Sequence, residues 1–239
     1  MNYGLQLYSI GKTAEKDFGE AVKLAADLGY ASVESAGLFG KTPAEVRDVL
    51  ARSDVTLSGT HSPYKDLTER LEETIAFHKA IGNKNYIIPG HTMKNQAAID
   101  EFVQAIARIQ PRLRQEGIAL SFHNHYREFL PNEDGSVVFE QLLYRTELTF
   151  EVDTYWAYIG MQHPIELLDR VGDRLWSIHI RDGMADRSGM PLGRGTAPVS
   201  DVWRYAKERG IPMVVECETD VFDEVEGARL CIEYLKNLK

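Results

Sequence analysis

The stretch Leu120-Ser-Phe-His-Asn-His-Tyr-Arg-Glu-Phe129 decides how the rest of the chain is read. It opens apolar and ends in side chains that can coordinate. In a strand, successive side chains point to opposite faces. His123 and His125 then share one face, with Phe122 and Asn124 on the other. Chemistry held at the C-terminal end of an apolar strand suits a (β/α)8 barrel, whose strands open at that end into the active-site mouth.

The same form recurs three times downstream. Leu148-Thr-Phe-Glu-Val-Asp-Thr-Tyr-Trp156 carries Asp153, Leu175-Trp-Ser-Ile-His-Ile-Arg-Asp182 carries His179, and Pro212-Met-Val-Val-Glu-Cys-Glu218 carries Glu216. Four consecutive strands thus present His, Asp, His and Glu from one end. His61, His91, His123, His125 and His179, five of the seven histidines, fall at or just past predicted strand ends. Glu34, Glu151, Asp153, Glu216 and Glu218 collect there too. Carboxylates buried at such positions are costly unless paired or metal-bound. The set His123, Asp153, His179 and Glu216 is therefore read as the ligands of one divalent metal. Mixed imidazole and carboxylate donors suit Mn, Co, Zn or Fe better than Ca or Mg, which favour all-oxygen shells.

Outward from these segments, strand and helix patterns alternate eight times. Strands are predicted at Tyr3–Tyr8, Tyr30–Glu34, Val55–Thr60, Asn85–Ile88, Ile118–His123, Leu148–Asp153, Trp176–Ile180 and Met213–Glu216. Helices are predicted at Ala14–Leu28, from Thr42 onward, and at Leu67–Ile81, Ala97–Gln115, Val137–Tyr144, Pro164–Arg170, Val199–Arg209 and Glu224–Leu238. Apolar residues at helical spacing carry the first, and Gly29 closes it. Thr42, Pro43 and Glu45 spell a capping box with proline at the first helical position. Pro111 is expected to kink the long fourth helix. The glycine-rich loop from Asp182 to Ala197 is a candidate lid. No glycine-rich phosphate loop follows strand one, which disfavours a doubly wound open sheet. The expected fold is a single (β/α)8 TIM-barrel domain over residues 1–239, near the roughly 250 residues typical of that fold.

Composition narrows the function classes. At 44% hydrophobic and 26% charged, the chain is ordinary for a soluble globular protein. Its net charge of −9 argues against nucleic acid as the main partner. The longest apolar runs fall short of a membrane span, and no signal-peptide pattern opens the chain. Cys217 and Cys231 lack metal or redox spacing. A cytoplasmic protein without membrane partners is expected, with self-association left open.

The segments His-Asn-His-Tyr-Arg-Glu-Phe (123–129), Glu-Val-Asp-Thr-Tyr-Trp (151–156), His-Ile-Arg-Asp (179–182), Pro-Leu-Gly-Arg-Gly (191–195) and Val-Val-Glu-Cys-Glu (214–218) resemble the sugar phosphate isomerase/epimerase family. This is the xylose-isomerase-like TIM barrel group, which includes ketose 3-epimerases, inosose dehydratases and, more distantly, endonuclease IV. The resemblance implies a metal held from strands five to eight, and Asp153, His179 and Glu216 match its ligand positions. Where many epimerases have a glutamate on strand five, this chain has His123, and its His-Asn-His form is similar to the subgroup near inosose dehydratases. The family's Gly-Glu-Gly loop is here Gly193-Arg194-Gly195.

The resemblance implies an isomerase or epimerase of a keto- or aldo-sugar or cyclitol. Such an enzyme would remove the proton α to a carbonyl and pass through an enediolate stabilised by the ion. Glu216 is the expected general base or acid, with His123 or His125 as its partner. Expelling a β-hydroxyl instead would make the enzyme a dehydratase or lyase. A non-catalytic sugar-binding barrel and a metal-dependent phosphodiester hydrolase are the remaining readings. Candidate substrate contacts are Gln6, Glu34 and His61 at the early strand ends, Tyr155 and Trp156 as flat walls, and the cations Arg181 and Arg194. Arg181 and Asp182 are expected to pair at the mouth.

Overall fold

The computed structural model describes residues 2–238. Eight parallel strands close into a barrel: β1 (Tyr3–Gln6), β2 (Ser32–Ala36), β3 (Thr56–His61), β4 (Asn85–Ile88), β5 (Ala119–His123), β6 (Thr149–Asp153), β7 (Leu175–Ile180) and β8 (Met213–Val215). Each strand pairs with its sequence neighbours, and β8 closes onto β1 through Tyr3↔Met213, Gly4↔Val214 and Leu5↔Val215. This is the TIM barrel expected from the strand-end pattern.

The alternation along each strand sorts the molecule into two environments. Phe122 meets Phe102 of the helix Gln96–Gln115 with ring centroids 6.1 Å apart. Phe150 likewise meets Phe139 of the helix Val138–Arg145 at 5.2 Å. Leu5, Val33, Tyr86, Leu120, Val152, Ile178 and Val215 complete this fully buried shell between strands and helices. The alternate positions carry Gln6, Glu34, His61, Asn85, Ser121, His123, Glu151, Asp153, Ser177 and His179. The barrel axis is therefore polar, where branched apolar side chains usually fill it. Gly59 leaves room for that filling: a Cβ there would stand 2.7 Å from Ile87 Cδ1 and 3.0 Å from Glu34 Oε2.

The helices show where local signals compete. Thr42 and Glu45 form the expected capping box, with Pro43 in the first turn. The first predicted helix is instead two, Gly11–Lys16 and Phe18–Leu28. Asp17 breaks it by accepting bonds from the Gly19 and Glu20 amides, capping the second piece. Strand one stops at Gln6, and a 3-10 turn, Leu7–Ile10, follows. The helix predicted at Leu67–Ile81 is split at Arg70 into Tyr64–Glu69 and Leu71–Ala80. The helix Gln96–Gln115 runs through Pro111 without interruption. Pro111 and Ala107, whose carbonyl loses its donor, both lie on the exposed face, open to solvent. A short helix, Thr154–Ile159, starts directly after β6 and was not foreseen.

The loop from Asp182 to Ala197 is pinned, unlike a loose lid. Its start and middle pair as a small antiparallel hairpin, Asp182–Gly183 with Gly189–Met190. The Asp182 carboxylate accepts from the amides of Gly183, Gly193, Gly195 and Ala197 at 2.8–3.1 Å. A Cβ on Gly195 would lie 2.2 Å from Asp182 Oδ1, so glycine permits the approach. Among the described residues, no helix is long and apolar enough to cross a membrane.

His78 ties the helix Leu71–Ala80 to the barrel. Its Nδ1 lies 3.0 Å from Asn83 Nδ2, a donor, so that nitrogen accepts and the ring is neutral. Burial depresses its pKa to about 4. A base depressed by folding contributes stability that is present above its unfolded pKa, about 6.5, and lost as pH falls toward 4. Wild-type protein should therefore lose about 2 kcal/mol more than His78→Gln between pH 7.5 and pH 5, by urea unfolding at each pH. Equal losses would show that His78 takes up its proton without leaving the fold.

Candidate functional site

The strand ends meet at the C-terminal mouth. His123 closes β5, Asp153 closes β6, His179 stands one residue before the end of β7, and Glu216 directly follows β8. One ligand atom from each of these four lies within 4.8 Å of the others. Registers His123↔Glu151 and Asp153↔His179 set this convergence. Asn124, the middle residue of His-Asn-His, extends it: its side chain accepts from the Asp153 amide at 3.2 Å and donates to the Asp153 carbonyl at 3.1 Å. An amide side chain thus stands in for one more ladder pair and holds Asp153 beside His123.

Each of the four carries a distinct electrostatic load. Asp153 Oδ1 accepts from the Trp156 amide at 2.7 Å, which starts the short helix after β6. Its other oxygen is buried and has no hydrogen-bond partner. Burial, opposed by Arg181 and reinforced by Glu216, lifts the Asp153 carboxyl to about 7. Glu216 is also buried, but Arg181 and His179 outweigh burial and hold it well below the usual carboxylate range. Burial drops His123 to about 3. Burial opposes a charge on His179 too, yet Glu151 and Glu34 overcome it and hold the imidazolium well above the usual range.

A second layer lies just below. His179 Nε2 stands 2.7 Å from Glu34 Oε1 and 2.9 Å from Glu151 Oε1, while its Nδ1 faces Glu216 Oε2 at 3.1 Å. Gln6 donates to Glu34 at 2.8 Å. Burial, then repulsion from Glu151, raises Glu34 to about 7. Glu151 resists burial and stays well below its usual range because His179, His123 and His61 face it. His61, His123, Glu151 and His179 form a second group whose ligand atoms lie within 4.8 Å.

Above the four residues opens a cavity of about 670 Å³, lined among others by Tyr8, His61, His123, His125, Trp156 and Glu216. Burial keeps His125 below the ordinary histidine pKa, hence neutral. Glu218, also on the lining, is raised by burial and bonded to Arg181 at 2.6 Å.

Several residues singled out as substrate contacts sit elsewhere. Gln6 and Glu34 are fully buried below the cavity floor. Tyr155 is fully buried and donates its hydroxyl to the Met184 carbonyl, so only Trp156 of that pair walls the cavity. Arg194 is exposed and covers Phe222 at 4.8 Å. Arg181 does not pair with Asp182. It is buried under Trp156, 4.8 Å from the ring centroid, and reaches Glu216 at 3.3 Å. His91 stacks on Phe102, outside the cluster. The sequence puts Glu151 among the acidic strand-end residues, outside the expected ligand set. Its two-residue spacing from Asp153 was the available signal, since both must then face the axis.

Residues 22–238 match the xylose isomerase-like TIM barrel family, and the chain belongs to it. A sugar phosphate isomerase/epimerase from Parabacteroides distasonis superposes with a TM-score of 0.85 at 22% identity, over 100% of this chain and 95% of its own. The probable 3-DHS dehydratase AsbF from Bacillus anthracis gives 0.77 at 14% identity, over 100% of both chains. D-allulose 3-epimerase from a Methylomonas species gives 0.74 at 15% identity, over 100% of this chain and 98% of its own. At such identities the likeness establishes the fold. No curated protein matches the chain by sequence.

Arg181 is the cation that makes this acidic mouth tolerable. Breaking a buried ion pair by removing one partner leaves an uncompensated charge and costs about 3–5 kcal/mol. Arg181→Met should lower the unfolding free energy of metal-free protein by about that amount in urea titrations. A change under ~1 kcal/mol would mean that Glu216 is compensated by His179 alone.

Proposed function

We propose that the chain is a divalent-metal-dependent isomerase or epimerase of a keto- or aldo-sugar or cyclitol, acting by removal of a proton α to a carbonyl. The observation that carries this reading is the convergence of His123, Asp153, His179 and Glu216 beneath a sugar-sized cavity. The donor set fits a transition ion: two imidazoles and two carboxylates, with Asp153 Oδ2 buried and otherwise unpartnered. Mn, Co, Zn and Fe share that preference. Such an ion, when bound, polarises a substrate carbonyl and acidifies the neighbouring C–H.

The chain's own residues supply the rest. Glu216 is ionised and lines the cavity, so its carboxylate can take the proton. Arg181, bonded to Glu216 and Glu218, orients both carboxylates at the wall. His125, on the same lining, takes up a proton from solvent and delivers it as imidazolium in the second step. His123 is enclosed within the ligand set and is assigned as a ligand. Trp156 presents a flat apolar ring to the C–H face of a sugar, beside Arg181. His61 reaches the lining and is left to bind a hydroxyl.

One observation favours a second outcome from the same first step. Strand five offers imidazole instead of a second carboxylate, so the two proton carriers are chemically unlike. An imidazole that has taken up a proton can hand it, as imidazolium, to a departing hydroxyl that leaves as water, which would make the enzyme a dehydratase or lyase.

The test is a keto-sugar and inosose panel in D₂O, with the protein loaded with Mn²⁺ or Co²⁺. Deuterium should enter the α-position, and chelation should abolish it. Glu216→Gln should cut exchange roughly 10²–10⁴-fold while metal still binds. His125→Gln should keep exchange and lose product. Epimer and dehydrated product are told apart by mass spectrometry. Wild-type exchange in metal-loaded Glu216→Gln would move the first proton to Glu218. Sugar binding without exchange across the panel would turn the reading to a binding barrel.

A further inference from the structure

Glu151, beneath the proposed ligands, has no part in the reaction just described, yet it is fully buried and closely surrounded. One oxygen, Glu151 Oε1, stands 2.8 Å from His61 Nε2, 2.9 Å from His179 Nε2 and 3.4 Å from His123 Nδ1. Three imidazoles thus face a single carboxylate oxygen. Their ring centroids are 4.7–5.2 Å apart. The other oxygen of Glu151 accepts from the Ser177 hydroxyl at 2.7 Å.

We propose that Glu151 is a positioning residue, the shared acceptor for both histidine ligands. It takes the Nδ1 hydrogen of His123 and shares the Nε2 hydrogen of His179 with Glu34, which stands at 2.7 Å against 2.9 Å for Glu151. It thereby turns His123 Nε2 and His179 Nδ1 toward the ion. The inference rests on the metal reading of His123, Asp153, His179 and Glu216. A neutral imidazole has one N–H and one lone pair. If the lone pair faces the ion, the hydrogen lies on the opposite nitrogen and needs an acceptor. His123 Nδ1 is buried and makes no hydrogen bond in this structure, and Glu151 Oε1 faces it at 3.4 Å. His179 turns both nitrogens to carboxylates, Nε2 to Glu34 and Glu151 and Nδ1 to Glu216, so an ion at Nδ1 would displace that proton and leave the one on Nε2. The strand geometry makes the arrangement economical. His123 and Glu151 are register partners, and Glu151 lies two residues before Asp153 on β6. One strand supplies a ligand and, a layer below, the acceptor that orients two others. A carboxylate in this place also makes the imidazoles better donors to a cation.

The rival arrangement puts the ion itself in the lower layer, among His61, His123, Glu151 and His179, whose ligand atoms are equally close. Zinc titration of full-length protein against a competing chelator separates the two. Glu151→Gln should bind Zn²⁺ about 10–100-fold more weakly, whereas His61→Gln should stay within about threefold of wild type. In the zinc-loaded wild type, ¹⁵N NMR of the histidine rings should show His123 protonated at Nδ1 and His179 at Nε2. Glu151→Gln should mix those tautomers. Its melting temperature without metal checks that it folds. If it does not, Ser177→Ala, which frees the other Glu151 oxygen, should weaken zinc binding in the same direction with the same tautomer mixing. Wild-type affinity and tautomers in Glu151→Gln would overturn the assignment. So would a His61→Gln variant that loses zinc as completely as Glu151→Gln, because the ion would then sit in the lower layer. Wild-type zinc affinity in Asp153→Ala would instead fail the metal reading of the upper set, a distinct result.

Discussion

Charge taken out of water along the barrel axis has to be neutralised within the axis. Glu34, Glu151, Asp153 and Glu216 are almost completely buried, and so are His123, His179 and Arg181. An isolated buried carboxylate would take up a proton or unfold its surroundings. Here each one is set against a cation or imidazole: His179 against Glu34 and Glu151, Arg181 against Glu216. Where compensation is incomplete, the ordinary pKa gives way. Glu34 and Asp153 both rise to about 7, burial being the main cause. Of the two, Asp153 belongs to the group of side chains that could hold a metal ion.

That constraint reaches into the scaffold. A polar axis leaves the apolar core to the shell between strands and helices, so stability and chemistry occupy opposite faces of the same strands. Residues facing outward can satisfy packing without disturbing the site. Residues facing inward are committed to one another by short hydrogen bonds. The loop after β7 adds a support from outside, since Met184 in its hairpin accepts from Tyr155, and the Tyr155 ring lies under Arg181. Rigid loop, aromatic ring and guanidinium form one stack behind Glu216.

Barrels that share this fold carry different names, from epimerase to dehydratase, and fold alone does not choose among them. The choice lies in which side chains end each strand. Strand five is where this chain departs from the two-glutamate epimerase pattern that its sequence resembles. With an imidazole there, the proposed ligand set carries one negative charge fewer. Glu151, the register partner of His123, supplies one a layer below.

Much of this was legible in the sequence, because strand side chains alternate strictly and helix ends carry local signals. The period-two pattern placed His123, Asp153, His179 and Glu216 on one side of four successive strands, and Thr42-Pro43-Ala44-Glu45 marked its own helix start. Local chemistry could not rank competing signals, so Asp17 split a helix that periodicity read as continuous. Nor could it place a side chain in depth. Gln6, Glu34 and Tyr155 looked like cavity residues because they stand at or near strand ends, but strand stagger sank them below the floor or behind the wall. Arg181 looked like a partner for its neighbour Asp182, yet the two point apart, one to Glu216 and the other to the backbone amides of its loop. Order along a strand is a property of the chain. The level that each residue reaches, and the residue it meets across the axis, depend on how all eight strands are staggered when the barrel closes, and only the closed barrel sets that.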